Sequence, residues 1–413
     1  MRIIPAENPA RRTYLLDSLR ALPSGCVEVM GMTFVVLIAV RVFEASQWVK
    51  AGLVAAPSLG LLLSLFGVQY VRRSGWSVNV ATALLWFVAA ASILAAAIAG
   101  RNLAVFTGAM VVALVSILIG TPLMAQIYRK HYPDANRGRL FATTGVVRKF
   151  SALLVAALFG WMLRNDLDNF RWLLGAYAAG CFLMALCVLG MDRVHLQKTK
   201  VVRLFAAFDH AKRDKPFRKL LVSWMILGFG NLLCFSLFVE YISNPAYGKD
   251  LDEFEIAFIT GSVPEIMFLI FVVGWGVVFD RVNFFAVRIA INILFAIGIL
   301  FYFLGDGVWA LYIGIAFHGI ARAGGNIAWS LWVTKFAASD HVAEYMSVHT
   351  FLCGVRGVVA PFIAFPAAKW LGPQAVGATG AGLIIFASIL LWPSMRLSLG
   401  RRQAVPVEPD PRV

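Results

Sequence analysis

Apolar runs long enough to cross a lipid bilayer follow one another along almost all of this 413-residue chain, and that feature decides what it can fold into. A helix needs about 20 mostly apolar residues to cross the hydrocarbon, where it must satisfy its own backbone hydrogen bonds. Such runs are predicted near residues 26–49, 52–70, 76–99, 103–127, 140–163 and 169–191. A second six follow near 220–243, 255–279, 283–304, 307–334, 342–371 and 375–395. Hydrophobic residues make up 60% of the chain and charged ones 14%, a balance that no single water-soluble core absorbs. The first run is not a cleavable leader, because it holds Glu28, Arg41 and Glu44 and no small-residue cleavage pattern follows it. Cys26, Cys181, Cys187, Cys234 and Cys353 have no metal-ligand spacing and read as small apolar core residues.

The expected class is therefore an all-α membrane protein of about twelve transmembrane helices in two six-helix bundles. The division predicted is an N-terminal segment 1–25, a bundle 26–191, a basic linker 192–219, a bundle 220–397 and a disordered tail 398–413. Tyr14–Leu22 and the linker piece Val201–Lys212 read as amphipathic helices lying on the membrane surface. Lys and Arg set the orientation: with a cytoplasmic N-terminus, 26 of the 37 fall on the inner side and 6 on the outer. Both termini are predicted inside. The net charge of +15 is then a topology signal facing anionic lipid, and gives no case for nucleic-acid binding.

Gly276, Asp280 and Arg281, between the eighth and ninth runs, form a G-x-x-x-D-R pattern. A degenerate counterpart lies in the first half at Gly67, Val71, Arg72, Arg73 and Gly75, with valine at the acidic position. With the six-plus-six arrangement, this pattern resembles the major facilitator superfamily of secondary transporters. The resemblance implies alternating access by two bundles and a gate at Arg72, Gly276, Asp280 and Arg281. In that gate Gly276 would permit close helix packing, and Asp280 would accept hydrogen bonds from a neighbouring helix end. It also implies that the third, sixth, ninth and twelfth runs face lipid. The third, sixth and twelfth hold no ionisable interior residue, and the ninth has only Arg288 at its start.

Ionisable side chains are costly in hydrocarbon, so those inside the other runs must face a cavity or each other. Arg148 and Arg356 lie 208 residues apart, each in the fifth helix of its half. They either flank a central cavity and bind solute or lock their own bundles by bonding a carboxylate or backbone carbonyls, with Glu265 as the partner of Arg356 or Arg322. His318, Arg322 and Asn326 share a helix face, and Gly319, Gly324 and Gly325 weaken that helix as at a binding or hinge region. Asn231, beside Gly228 and Gly230, is a further polar contact. Glu265, His318 and His349 are candidates for carrying a coupling proton or, equally, are satisfied core residues. Glu28, near the inner end of the first run, and Arg41 with Glu44, near its outer end, are candidate gate residues.

Arg148, Lys149, Arg322 and Arg356 against Glu265 leave the mid-membrane region cationic, suited to a carboxylate or phosphate group. The expected function is transport of a small anionic solute across the cytoplasmic membrane, as a uniporter or coupled to protons, by a monomer with no cofactor or metal. Two alternatives stand: export of a bulky apolar compound, since aromatics make up 13% of the chain, and a receptor or assembly factor without flux. No catalytic or phosphate-cradling motif suggests an enzyme. A reporter fused after Lys215 should behave as cytoplasmic and one near Lys249 as external; finding both on one side defeats the six-plus-six assignment.

Overall fold

The computed structural model describes residues 9–133, 137–196, 208, 214–331 and 342–398. Most of Val201–Lys212, residues 332–334 of the tenth predicted run and the tail after Arg402 lie outside them. The described residues form long helices with short connections. Helix α1 runs from Pro9–Val29 through a π-turn, Met30–Phe34, into Val35–Arg41. Then follow α2 (Gln47–Ser74), α3 (Val78–Ala99), α4 (Leu103–His131), α5 (Arg137–Asn165) and α6 (Phe170–Gly190). The second six are α7 (Lys215–Ser243), α8 (Glu253–Ala257, a π-turn Phe258–Ser262, then Val263–Arg281), α9 (Phe284–Leu304), α10 (Gly307–Leu331), α11 (Val342–Leu371) and α12 (Pro373–Ser398).

Eleven of these helices are long and apolar enough to cross a membrane. The other, α10, has the length with its 25 residues but carries His318, Arg322 and Asn326. Polar side chains start the helices where the apolar runs begin. The side chains of Ser46, Ser77, Asn102 and Asp214 each accept a hydrogen bond from an otherwise unpaired backbone N–H in the first turn. Asp252 and Glu255 form a reciprocal capping box at α8.

In the first bundle α3 packs on α4 and α6, α2 on α4, and α1 on α5 and α6; in the second, α9 packs on α10 and α12, α8 on α10, and α7 on α11 and α12. The bundles meet chiefly along α2 with α11 and α5 with α8. One end of the molecule, the terminal end, carries the first turn of α1, the last turn of α12, the end of α6 and the start of α7; the opposite end carries the loops 42–46 and 244–252.

The first helix corrects the sequence reading. It spans Pro9 to Arg41 rather than 26–49, and Tyr14–Leu22 is its membrane-embedded start, not a separate surface helix. Its amphipathic pattern is inverted. Leu15, Leu19 and Leu22 are exposed on the outside, while Thr13, Asp17 and Arg20 point into the bundle. Asp17, fully buried, holds Arg20 at 2.6 Å and accepts the hydroxyls of Tyr128 at 2.9 Å and Tyr132 at 3.0 Å. Burial, with the Asp17 carboxylate beside it, pushes the Tyr132 phenol above its ordinary pKa, so it stays a donor. These charges satisfy one another, so the helix extends through a stretch that reads as too polar to span.

Asp17→Ala leaves Arg20 buried without its carboxylate. Thermal stability in detergent should fall by about 3–5 kcal/mol, and Arg20→Met in the same chain should recover part of it. An unchanged melting curve for Asp17→Ala would show that the cluster is hydrated.

Candidate functional site

The two π-turns lie against each other where the bundles cross. The hydroxyls of Thr33 and Thr260 are 3.3 Å apart there. Gly261 permits the approach, since a Cβ on it would stand 2.8 Å from that of Ala156 and 3.2 Å from Val29. A π-turn adds one residue to a helical turn and so re-aims the side chains that flank it. Glu28 precedes the turn in α1 by two residues, and Glu265 follows the turn in α8 by three. Both carboxylates converge on Lys149 of α5.

Lys149 Nζ lies 2.5 Å from Glu28 Oε1 and 3.0 Å from Glu265 Oε2. Glu265 also pairs with Arg322 of α10, and Glu28 with Arg148 Nε at 3.3 Å. Phe268 lies under both Lys149 and Arg322, 5.0 and 5.7 Å from ring centre to charge. This network joins α1 and α5 of one bundle to α8 and α10 of the other. Three cations meet two carboxylates, leaving one positive charge in surplus. Glu265 and Lys149 are buried, whereas the Arg148 side chain is 36% exposed.

That exposure opens into a cavity of about 530 Å³. Glu28 and Arg148 supply charge to its wall; Trp86, Leu114, Met124, Phe141, Phe235 and Pro361 are among its apolar lining. The lining reaches Arg20 and Tyr128 toward the terminal end. A much smaller recess on the other side of Met32 and Phe235 is lined by His318 and Arg322.

Ion pairs close the opposite end. Lys50 Nζ meets Glu240 Oε1 at 2.6 Å, both side chains buried, and Asn244 donates to the same oxygen at 2.7 Å. Arg41 donates to the Leu251 carbonyl at 2.7 Å and lies 3.5 Å from Glu253. Arg164 pairs with Asp252 at 3.2 Å. Each pair links the first bundle to the second. Between described residues, all ion pairs that cross the bundles belong either to this seal or to the central network.

The predicted residues divide accordingly. Arg148, Arg322 and Glu265 come together as a group. Glu28 joins them at mid-depth rather than standing near a helix end, because α1 starts seventeen residues earlier than read. Its carboxylate brings the mid-membrane charge closer to balance than the sequence reading allowed. Arg41 belongs to the seal, but Glu44 sits in the tight turn beyond it, exposed, with φ 46° and no ion pair.

Arg356 is not paired with Glu265. It donates to the backbone carbonyl of Trp224 in α7, into the space left by Gly228. His349 packs against Trp224, with Nε2 3.5 Å from the Cys353 sulfur. His318 is buried among Phe235, Phe238 and Phe295. Asn231 is partly buried, whereas Asn326 is exposed.

Gly276 does not mediate close packing, since a Cβ there would meet nothing within 4 Å. The tight α8–α10 contact is made instead by Trp275, which lies on Gly324 and donates to the Ile320 carbonyl at 3.0 Å. Gly319 likewise abuts Pro264, so these glycines admit α8 and do not break α10, which stays regular. Asp280 and Arg281 are exposed and unpaired among the described residues, as follows from a terminal end held apart; Arg72 is partly buried. Lys50 and Glu240 are contributors that the sequence reading passed over, as single charges at helix ends; Lys149 was counted among the mid-membrane cations but given no partner.

Comparison with known proteins follows the geometry. The model of the Major Facilitator Superfamily matches residues 22–361. Among solved structures, the nucleoside transporter NupG (D323A mutant) superposes with a TM-score of 0.75 at 14% identity, covering 93% of this chain and 99% of that one. The human organic anion transporter MFSD10 (TETRAN) gives 0.64 at 15% identity, covering 93% and 100%. The xylose transporter XylE from E. coli, in a partially occluded inward open conformation, gives 0.67 at 14%, covering 93% and 97%. At these identities the likeness is one of fold. No curated protein sequence matches the chain.

Glu265→Gln should strip Arg322 of its carboxylate and leave Lys149 to Glu28 alone. The melting temperature should fall, and Arg322→Gln in the same chain should restore part of the loss. Additive losses in the double variant would show that the two side chains act independently.

Proposed function

We propose that this chain, which belongs to the major facilitator superfamily, is a secondary transporter of organic anions working by alternating access. The observation that carries the anion reading is the surplus cation at the cavity floor, where Arg148 is held by Glu28 yet partly exposed. A guanidinium offers a carboxylate or phosphate two parallel hydrogen bonds. The wall above it is largely apolar, which favours an anion with an apolar body over an inorganic ion. The seal at the opposite end and the cavity reaching toward the terminal end correspond to one half of the cycle. With both termini cytoplasmic, as the distribution of Lys and Arg argues, that half is inward-facing.

Coupling to protons follows from shared partners. An anion arriving at Arg148 competes with Glu28, and one reaching Arg322 competes with Glu265. The displaced carboxylate then sits in a low-dielectric site with less compensation, and protonation is its cheapest relief. His318, beside Arg322 in the smaller recess, is placed to pass that proton; His349, against Cys353 and Trp224, is farther from the path. Residence as a monomer in the cytoplasmic membrane, with anionic lipid against the basic inner loops, completes the reading.

Reconstituted protein tested with labelled carboxylates and phosphate esters should show saturable uptake of at least one. Arg148→Lys and Arg322→Lys keep the charge but lose the planar fork, so apparent affinity should fall roughly tenfold or more while melting temperature holds. Absence of flux for every anion, with a protein partner retained on purification, would favour the receptor reading.

A further inference from the structure

The second bundle holds a pair of cations, Arg288 buried and Arg356 half-buried, that the central network does not use. Arg288, in the second turn of α9, belongs to a helix expected to face lipid, yet it is only 2% exposed. Its guanidinium stacks on the indole of Trp224, 4.1 Å from the ring centre. Arg356 reaches the same residue from α11 and donates to the Trp224 carbonyl. Two arginines thus bracket one tryptophan, near enough for their charges to act on each other.

Neither has a carboxylate. Among the described residues no ion pair involves either one, each Nε is buried without a hydrogen-bond partner, and Arg288 has no hydrogen-bond acceptor. The other polar groups against them are His349, buried beside Trp224, and the Cys353 thiol, and neither carries negative charge in its ordinary form. Guanidinium does not shed its proton inside proteins, so it cannot be buried as a neutral group. The other fully buried Lys and Arg side chains among the described residues each have an acid: Arg20 has Asp17, Lys50 has Glu240, and Lys149 has Glu28 and Glu265. Arg288 and Arg356 depart from that rule together.

We propose that Arg288 and Arg356 form an anion site within the second bundle, separate from the central network, that holds a small inorganic anion or a carboxylate as their counter-charge. The unused guanidinium donors supply its hydrogen bonds, and Trp224 fixes both arginines. Gly357, next to Arg356 in sequence, lines the main cavity. The site does not depend on the transport reading, because its cations are not those assigned to the solute.

Full-length protein in a buffer whose only anion is the bulky sulfonate MES should melt at a temperature that rises saturably, by a few degrees, as chloride is added. An equal rise with acetate in a parallel titration shows that the site accepts carboxylates; a rise with chloride alone restricts it to inorganic anions. Arg288→Gln should abolish the rise and, with one repelling charge gone, melt no lower than wild type in MES. Arg148→Gln should keep the rise. A wild-type melting temperature indifferent to both anions shows hydrated cations only and overturns the proposal. So does a rise that survives Arg288→Gln and disappears in Arg148→Gln, which assigns the anion to the central site. If Arg288→Gln does not fold, bromide-soaked wild-type crystals decide: an anomalous peak between Arg288 and Arg356 supports the site, and its absence overturns it.

Discussion

Charge cannot be left alone in hydrocarbon, and the arrangement of this protein follows from how each buried charge is answered. Isolated, an ionised group there costs several kcal/mol, more than a hydrogen bond recovers. The helices are therefore placed so that charges meet. Asp17 and Arg20 settle within one helix and fix its start. Glu28, Lys149 and Glu265 settle only if α1, α5 and α8 come together, which requires both bundles and both π-turns. The crossing of the bundles is thus a condition for burying these residues at all.

The same requirement explains why closure is confined to one end. Lys50, Arg41 and Arg164 find their acids on the other bundle at the opposite end. Toward the terminal end the described acids and bases answer partners within their own bundle, as Asp17 does Arg20 and as Asp214 does Tyr345. The space between the bundles on that side is the cavity lined by Arg20, Tyr128 and Phe141. Asp280 and Arg281, exposed on that side, are free to engage in a conformation with the end shut.

Much of this was legible in the sequence, and the failures have definite causes. Helix count and most boundaries came from the lengths of apolar runs, which measure the bilayer directly. The first boundary failed because Asp17 and Arg20 were weighed as separate polar residues; their neutralisation is a tertiary fact. Arg148, Arg322 and Glu265 were visible as charges in apolar runs, since hydrocarbon makes any ionisable residue conspicuous. Which partner each takes was left open: partners 57 to 120 residues apart are chosen by helix rotation, and a π-turn changes that rotation without a sequence mark. Lys50 and Glu240 escaped notice because a charge at a helix end reads as a solvated one. Gly319 and Gly324 of α10 were read as weakness and serve as close contacts with α8, a distinction that depends on what lies opposite.

The central network is better suited to bias motion than to add stability. Burying ion pairs recovers little beyond the desolvation they cost, so replacing them with well-packed apolar side chains would serve rigidity as well or better. What apolar packing lacks is a choice of partners. Lys149 belongs to the first bundle and serves one carboxylate from each bundle, Glu28 at 2.5 Å and Glu265 at 3.0 Å. If the bundles rotate, Glu28 keeps Lys149 because both belong to the same bundle, while Glu265 must rely on Arg322 of its own. Each carboxylate thus has a partner that travels with it and Lys149 as a shared one between them. Rotation then exchanges one compensated arrangement for another without exposing a bare charge, which keeps the barrier low. On the proposed reading, a solute anion at Arg148 or Arg322 would tip that exchange by taking up one of the cations on which it depends.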